Sequence, residues 1–193
     1  MSALLLSVLV ALTALAQAMP IKLAKESKLW IEGDSNFHPW SCSAKTVAAV
    51  VGAEESAAAQ PARSLALRVP VTDLDCGSGF FNGKLRDALK SDEHPAIEYR
   101  LISTERMAGE GVVLQVTGAL TIAGRTRRVT FVVEAATGPD GSVYAMGTVP
   151  LLMSDFGVEP PSAMLGALKA YDPLTVRFEL HTLPQVAASI ARR

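Results

Sequence analysis

A basic surplus is the first thing this sequence lacks. Its 193 residues carry 18 Lys and Arg against 19 Asp and Glu, a formal net charge of −1. A general binder of nucleic acid or anionic membrane needs a strong cationic excess, so the balance argues against both classes. Arg127-Arg128 and Arg192-Arg193 are too few to change that balance. Catalytic patterns are missing as well. There is no Gly-x-Ser-x-Gly, no phosphate-cradling glycine loop and no zinc spacing. The three histidines are His38, His94 and His181, and none stands in a His-x-x-x-His or Glu-x-x-His pattern.

The residues that remain for chemistry have plainer uses. His38 and Cys42 offer a nitrogen and a sulfur to a metal, but His38 sits beside Pro39 in a turn and Cys42 has a partner cysteine. His94 precedes Pro95 at the expected end of a helix, where a cation suits the helix dipole. His181 falls on the polar face of a strand and is expected to be solvated. Asp73 and Asp75 flank Leu74 and could pair for acid–base work, although carboxylates there more often end a strand and bond nearby backbone. The expectation is no catalytic residue, no metal site and no cofactor.

Cysteine is scarce: Cys42 and Cys76 are the whole set. In an exported protein an even count favours a disulfide, the alternative being two buried thiols. The bridge would close a loop of about 35 residues, worth roughly 4 kcal/mol in the chain-entropy treatment. Charge is absent from residues 1–18, which are rich in Leu, Val and Ala and end in Ala16-Gln17-Ala18. That is a small-x-small cleavage signal, so 1–18 is expected to be a secretory signal peptide and 19–193 one domain. No Lys or Arg follows Met1, which departs from the usual signal. The alternative is a membrane anchor, but Gln17 and Pro20 break the run and leave it short for a span. No membrane span is expected after cleavage. Met19, not a cysteine, stands directly after the cleavage point, so a lipid-anchored lipoprotein is not expected. No repeat, low-complexity tract or domain linker occurs.

What is present is alternation. Leu65, Leu67, Val69 and Val71 share one face, and so do Leu114, Val116, Gly118 and Leu120. Val129, Phe131 and Val133 form another such face, as do Leu174, Val176, Phe178 and Leu180. Polar residues stand between them, the pattern of antiparallel strands wet on one side. Eight strands are predicted, near 28–34, 43–54, 63–72, 96–105, 111–122, 126–136, 142–153 and 173–182. Ala123-Gly124 and Gly138-Pro139-Asp140-Gly141 are the expected turns between three of them. One segment breaks the pattern: Leu85, Ala88 and Leu89 are spaced as one helix face. Pro95 then ends any helix before Ile97, Tyr99 and Leu101 resume the alternation. A short Ala- and Glu-rich loop is expected at 52–61 and a frayed helix at 184–193.

Eight such strands can hide their apolar faces in a sandwich or in a closed barrel. Long strands joined by short hairpins from 96 to 153 favour an up-and-down barrel. An eight-stranded barrel is either filled by its side chains or holds one small ligand, and the same residues serve both.

Several blocks together resemble the YceI-like family of periplasmic, polyisoprenoid-binding proteins. They are Trp30-Ile31-Glu32-Gly33-Asp34-Ser35-Asn36-Phe37-His38, Val69-Pro70-Val71 leading to the helix, and His94-Pro95-Ala96-Ile97-Glu98-Tyr99. The hairpin from Gly118 to Val129 and the block Ser154-Asp155-Phe156-Gly157-Val158 complete the set. The resemblance implies an all-β, eight-stranded antiparallel lipocalin-like barrel with one or two short helices. It implies a periplasmic or secreted binder of a long-chain isoprenoid or quinone-like lipid, often a homodimer, without catalysis. The residues expected against such a ligand are Leu67, Val69, Leu85, Leu89, Ile97, Tyr99, Leu101, Leu114, Val116, Leu120, Val129, Phe131, Phe156 and Phe178. Three departures stand out: a less aromatic helix at 84–90, the cysteine pair, and a longer apolar insert from Pro160 to Lys169. A structural or stress-related module with a filled core and a protein partner, touching it through Met164–Leu168, is the alternative from another class. An enzyme acting on a lipid or hydroperoxide through His38 or Asp73 is the third.

Overall fold

A computed structural model describes residues 19–53 and 63–184 of the chain. The expected signal peptide, most of the 52–61 loop and nearly all of the expected C-terminal helix lie outside these residues. In chain order the strands are β1 (Met19–Ile21), β2 (Lys28–Ser35), β3 (Trp40–Ala44), β4 (Ala48–Ala53), β5 (Arg63–Pro70) and β6 (Leu74–Asp75). The helix α1 (Gly79–Leu89) follows. Then come β7 (Ala96–Arg106), β8 (Val112–Ile122), β9 (Arg125–Thr137), β10 (Val143–Leu152), β11 (Ser162–Ala163) and β12 (Leu168–His181).

The strands make one ring. From β5 onward each pairs antiparallel with the next long strand, β5–β7–β8–β9–β10–β12, and β12 returns to pair with β2. Two staves are broken. β3 and β4 are halves of one bent strand interrupted at 45–47, and β5 and β6 are halves of another interrupted by the 3-10 turn Val71–Asp73. Their halves pair in order, β4 with β5 and β3 with β6, while β3 also pairs with β2. The bent β3–β4 strand therefore carries the ladder from β2 across to β5, and eight staves close a barrel. A sandwich would need two stacked sheets; here every long strand belongs to the same one.

Local sequence explains the joints. Ala123 (φ 46°) and Gly124 (φ 74°) both take positive φ, the primed turn that matches strand twist. It lets Val112 to Ile122 pair without a break against Ala135 to Arg125. Register shifts bend β7 against β8 after Leu101, and β12 against β2 between Ala170 and Leu174. Three boundaries differ from the sequence expectation. The second stave begins at Trp40 and breaks after Ala44. The last strand begins at Leu168, inside the Pro160–Lys169 insert. The helix begins at Gly79, earlier than its apolar spacing showed, because Ser78 caps it: the Ser78 hydroxyl accepts from the Phe81 N–H (3.3 Å).

Candidate ligand-binding site

The helix α1 lies across one mouth of the barrel, and its anchoring can be followed residue by residue. Lys90 takes the left-handed conformation (φ 51°) and ends the helix, its N–H turned back to the last helical carbonyls. Pro95 then starts the extended run into β7. On the other side, Asn82 clamps the approach to the helix: its Oδ1 accepts from the Cys76 N–H (2.7 Å) and its Nδ2 donates to Asp75 (3.2 Å). Bonds from Asn82, the Gly77 N–H and Lys45 hold the Asp75 carboxyl below its usual range. Cys42 of β3 and Cys76 are joined as a disulfide, which ties the start of the helical segment to the barrel wall.

The facing side of the mouth is the 3-10 turn Met153–Phe156 that follows β10. Asp172 accepts from the Ser154 N–H (2.8 Å) and hydroxyl (2.6 Å), and both bonds hold its carboxyl below the usual range. Arg127 of β9 donates from Nε to the Asp155 carbonyl (2.8 Å). The turn is thus pinned from two strands, and Phe156 is driven inward to near-complete burial.

Between these covers lies a cavity of about 490 Å³. Its wall is mostly carbon, supplied by β2, β3, β5, β6, β7, β8, β9, β10, β12, α1 and the Met153–Phe156 turn. Deep inside stand three aromatic rings. Tyr99 and Phe131 have centroids 5.8 Å apart, and Phe131 and Phe178 6.0 Å. Glycines make room for them: a Cβ at Gly118 would lie 2.2 Å from the Tyr99 ring, and one at Gly147 2.6 Å from Phe178. The Tyr99 hydroxyl is shut in with no hydrogen-bond partner among the described residues, and burial pushes its pKa up to about 12.

Of the residues expected against a ligand, Leu67, Val69, Leu85, Leu89, Ile97, Tyr99, Leu120, Val129, Phe131, Phe156 and Phe178 face this cavity. Leu101, Leu114 and Val116 do not. They share the inner faces of β7 and β8, since Leu101 pairs with Gly118 and Val116 with Phe131, but they continue away from α1 behind the aromatic rings. The sequence reading passed over Ile31, Trp40, Cys42, Met153, Leu174 and Val176, which also line the space. Ile31, Leu174 and Val176 carried the same alternation as the chosen residues and could have been found by it.

The other candidates are occupied elsewhere. His38 Nδ1 lies 2.6 Å from the Pro39 carbonyl, and Cys42 is bridged. Thr46 donates its hydroxyl to Asp73. Asp75 belongs to the clamp on α1. The His94 ring packs on Gly124. His181 is half-buried rather than solvated, its ring edge-on to Tyr144 at 4.4 Å. Among the described residues no three His, Cys, Asp or Glu side chains are grouped to hold a metal, and no helix is long and apolar enough to cross a membrane.

Residues 28–182 match the family model of the YceI-like domain. The chain belongs to the YceI-like family. No curated protein matches it at the level of sequence. Among solved structures its fold is similar to BcnA of Burkholderia cenocepacia, at 21% identity and TM-score 0.69, covering 84% of this chain and 100% of that one. A polyisoprenoid-binding domain of Saccharophagus degradans, implicated in plant cell wall breakdown, gives 14% identity and TM-score 0.67, covering 86% and 98%. A Campylobacter jejuni YceI protein gives 19% and 0.57, covering 74% and 84%.

Three of the blocks that carry the YceI-like resemblance meet at one corner of this barrel. His94 lies on the Ala123-Gly124 turn, Arg125 lies across Gly157, and Arg127 holds Asp155. Segments far apart in sequence thus build the same wall of the mouth.

Proposed function

We propose that this YceI-like barrel is an exported binding protein that holds a polyisoprenoid or quinone-like long apolar molecule, for storage, transport or protection under stress, without catalysis. The cavity carries this reading. A space of about 490 Å³ within the range of small-molecule pockets, walled by carbon, suits a ligand whose affinity comes from burial. Each methylene taken from water contributes roughly 0.8 kcal/mol. The polyisoprenoid-binding domain of Saccharophagus degradans, similar in fold, supports the class of ligand. The uncharged, apolar 1–18 segment with its Ala16-Gln17-Ala18 signal supports export to the periplasm or beyond.

A filled-core module is less well supported, because a water occupies only about 30 Å³ and this interior has room for many. Native mass spectrometry of protein purified from its own cells tests the proposal. The expected result is a bound mass in the range of a prenyl lipid, and the same spectrum reads whether the protein is a dimer. Apo protein that also fails to take up added polyprenyl lipid would sink it.

A further inference from the structure

Large apolar side chains stand in solvent at one end of this barrel. Among the described residues the four most exposed are Leu165 (110%), Phe37 (74%), Met164 (71%) and Phe80 (54%). They come from three separate segments. Phe37 is in the β2–β3 turn, Phe80 is in the first turn of α1 against Phe81, and Met164 and Leu165 form the tip between β11 and β12. All three segments border the cavity, through Phe37, Phe81, Ala163 and Leu168. Asn36 stitches two of them together: its Nδ2 donates to the Ala167 carbonyl (2.9 Å) and its Oδ1 accepts from the Lys169 N–H (2.9 Å). Two cations, Lys84 and Lys169, line the same opening. The far-end turns differ. Residues 107–111 and 138–142 are built mainly from glycine, proline, serine and acidic residues, with Met107 their one large apolar side chain.

The tip at 164–165 is also an unusual place for such residues. Met164 (φ 50°) and Leu165 (φ 56°) are both left-handed, a conformation that glycine and asparagine adopt more readily. Pairing of Ser162 with Lys169 and Ala163 with Leu168 holds the tip in place. A loop shaped only for water would put small polar residues there.

We propose that this mouth docks on a phospholipid bilayer. Phe37, Phe80, Met164 and Leu165 enter the boundary between headgroups and acyl chains, and Lys84 and Lys169 meet lipid phosphates. The cavity then opens directly onto the membrane. This rests on the lipid-binding reading above: a long apolar ligand resides in a bilayer, and a continuous apolar path spares it contact with water. The net charge of −1 gives no long-range attraction, so the contact is local and driven by the apolar tips. A protein partner on the same rim is the competing occupant.

Vesicle flotation of the exported form, with residues 1–18 removed, tests the proposal, using phosphatidylcholine with a minor fraction of phosphatidylglycerol. The wild type floats with the vesicles. Leu165→Asp and Phe80→Ser each lower the bound fraction by about tenfold, while melting temperature holds. Asp accepts left-handed backbone better than Leu, so Leu165→Asp removes the anchor without loss of fold. Lys84→Gln with Lys169→Gln reduces the preference for phosphatidylglycerol. A wild type that stays in solution, or variants that float as well as it does, overturns the docking and favours a protein partner. Loading with a polyprenol delivered from cyclodextrin, with no bilayer present, reads the cavity separately. Loading without flotation overturns docking alone; flotation without loading leaves docking standing and overturns the cavity reading.

Discussion

The two ends of the barrel are made from the same alternating strands and reach opposite results. Away from α1, Tyr99, Phe131 and Phe178 span the interior, with Val116 and Val133 buried behind them. Toward α1 the inward strand positions are mainly aliphatic, Trp40 excepted, and the staves enclose open space. Strand number and stagger fix the girth of a barrel, so side-chain volume alone decides whether a section is solid or hollow. The means of fastening differ too. The far end is held by ladders, packing and local polar ties: Ser27 bonds the His181 backbone, Thr182 accepts from the Val143 N–H and Asp140 accepts from Ser142. The mouth is held by discrete ties: the disulfide, the Asn82 clamp, Asp172 on Ser154 and Arg127 on Asp155. The mouth can therefore be loosened by single changes that leave the solid end intact.

The disulfide is the strongest of these ties. Replacing Cys42 and Cys76 by Ala lowers stability by about 4 kcal/mol, measured by urea unfolding, because the bridge closes a long loop in the unfolded chain. Ligand retention falls with it, since α1 loses its tether to β3. Equal stability in the two forms would show that the clamp at Asn82 suffices.

Gly118→Val attacks the solid end instead. Its side chain would overlap the Tyr99 ring and costs about 3 kcal/mol in the same assay. If it is tolerated without loss, the rings are looser than the structure shows and the contrast between the two ends fails.

Leu85→Asp acts on the lid. Leu85 is only partly buried, so stability changes by about 1 kcal/mol or less, while a bound prenyl lipid escapes about tenfold faster. Leu89 faces the same cavity but is buried in the core cluster, so Leu89→Asp lowers both stability and retention. Parallel loss at both positions would make the helix a piece of core rather than a cover.

Acid and alkali separate the ends most gently. Asp75 and Asp172 have lowered pKa values, so their contributions are present above the ordinary carboxylate range and are lost as pH falls through the lower folded values. Acid below about pH 4 loosens these mouth ties, and with them the far-end turn where Ser142 holds Asp140 below its usual range. Tyr99 is raised to about 12, so its contribution is complete below pH 10 and fades as pH climbs from 10 toward 12. Tyr99→Phe changes stability at neutral pH by less than about 1 kcal/mol, since the hydroxyl has no partner to lose. It flattens the alkaline limb of the stability profile.

Strands were legible wherever one face is buried, because a period of two is imposed by the pleat and survives loop variation. The breaks within staves were not. Lys45-Thr46-Val47 contains no glycine or proline, and the interruption comes from the bend needed to serve two neighbours. The first turns of α1 were hidden because Gly79, Phe80, Asn82 and Gly83 follow no apolar spacing. Ser78 was the available signal, and it lies among other small residues. The strand-borne part of the cavity wall was readable from alternation. The missed positions lie on β2, β3, β12 and the 153–158 turn, where Cys42 reads as a disulfide partner or metal ligand and Met153 follows the last residue of its strand. Hollow and filled sections cannot be told apart by pattern, because Leu120 beside the space and Leu114 behind the rings have the same spacing.

The closing seam joins the start of the domain to its end. Arg177 of β12 donates to Glu32 of β2 across 145 residues of chain. As the domain folds, one edge of β2 therefore stays open until β12, near the end of the chain, has been placed. Contacts so distant in sequence form slowly, because loop closure must precede any gain from pairing. Until β12 arrives there is no barrel, no interior and no place for a ligand. A chain without its last strand keeps an open sheet edge on β2 and β10, and β12 is the piece that turns a sheet into a container.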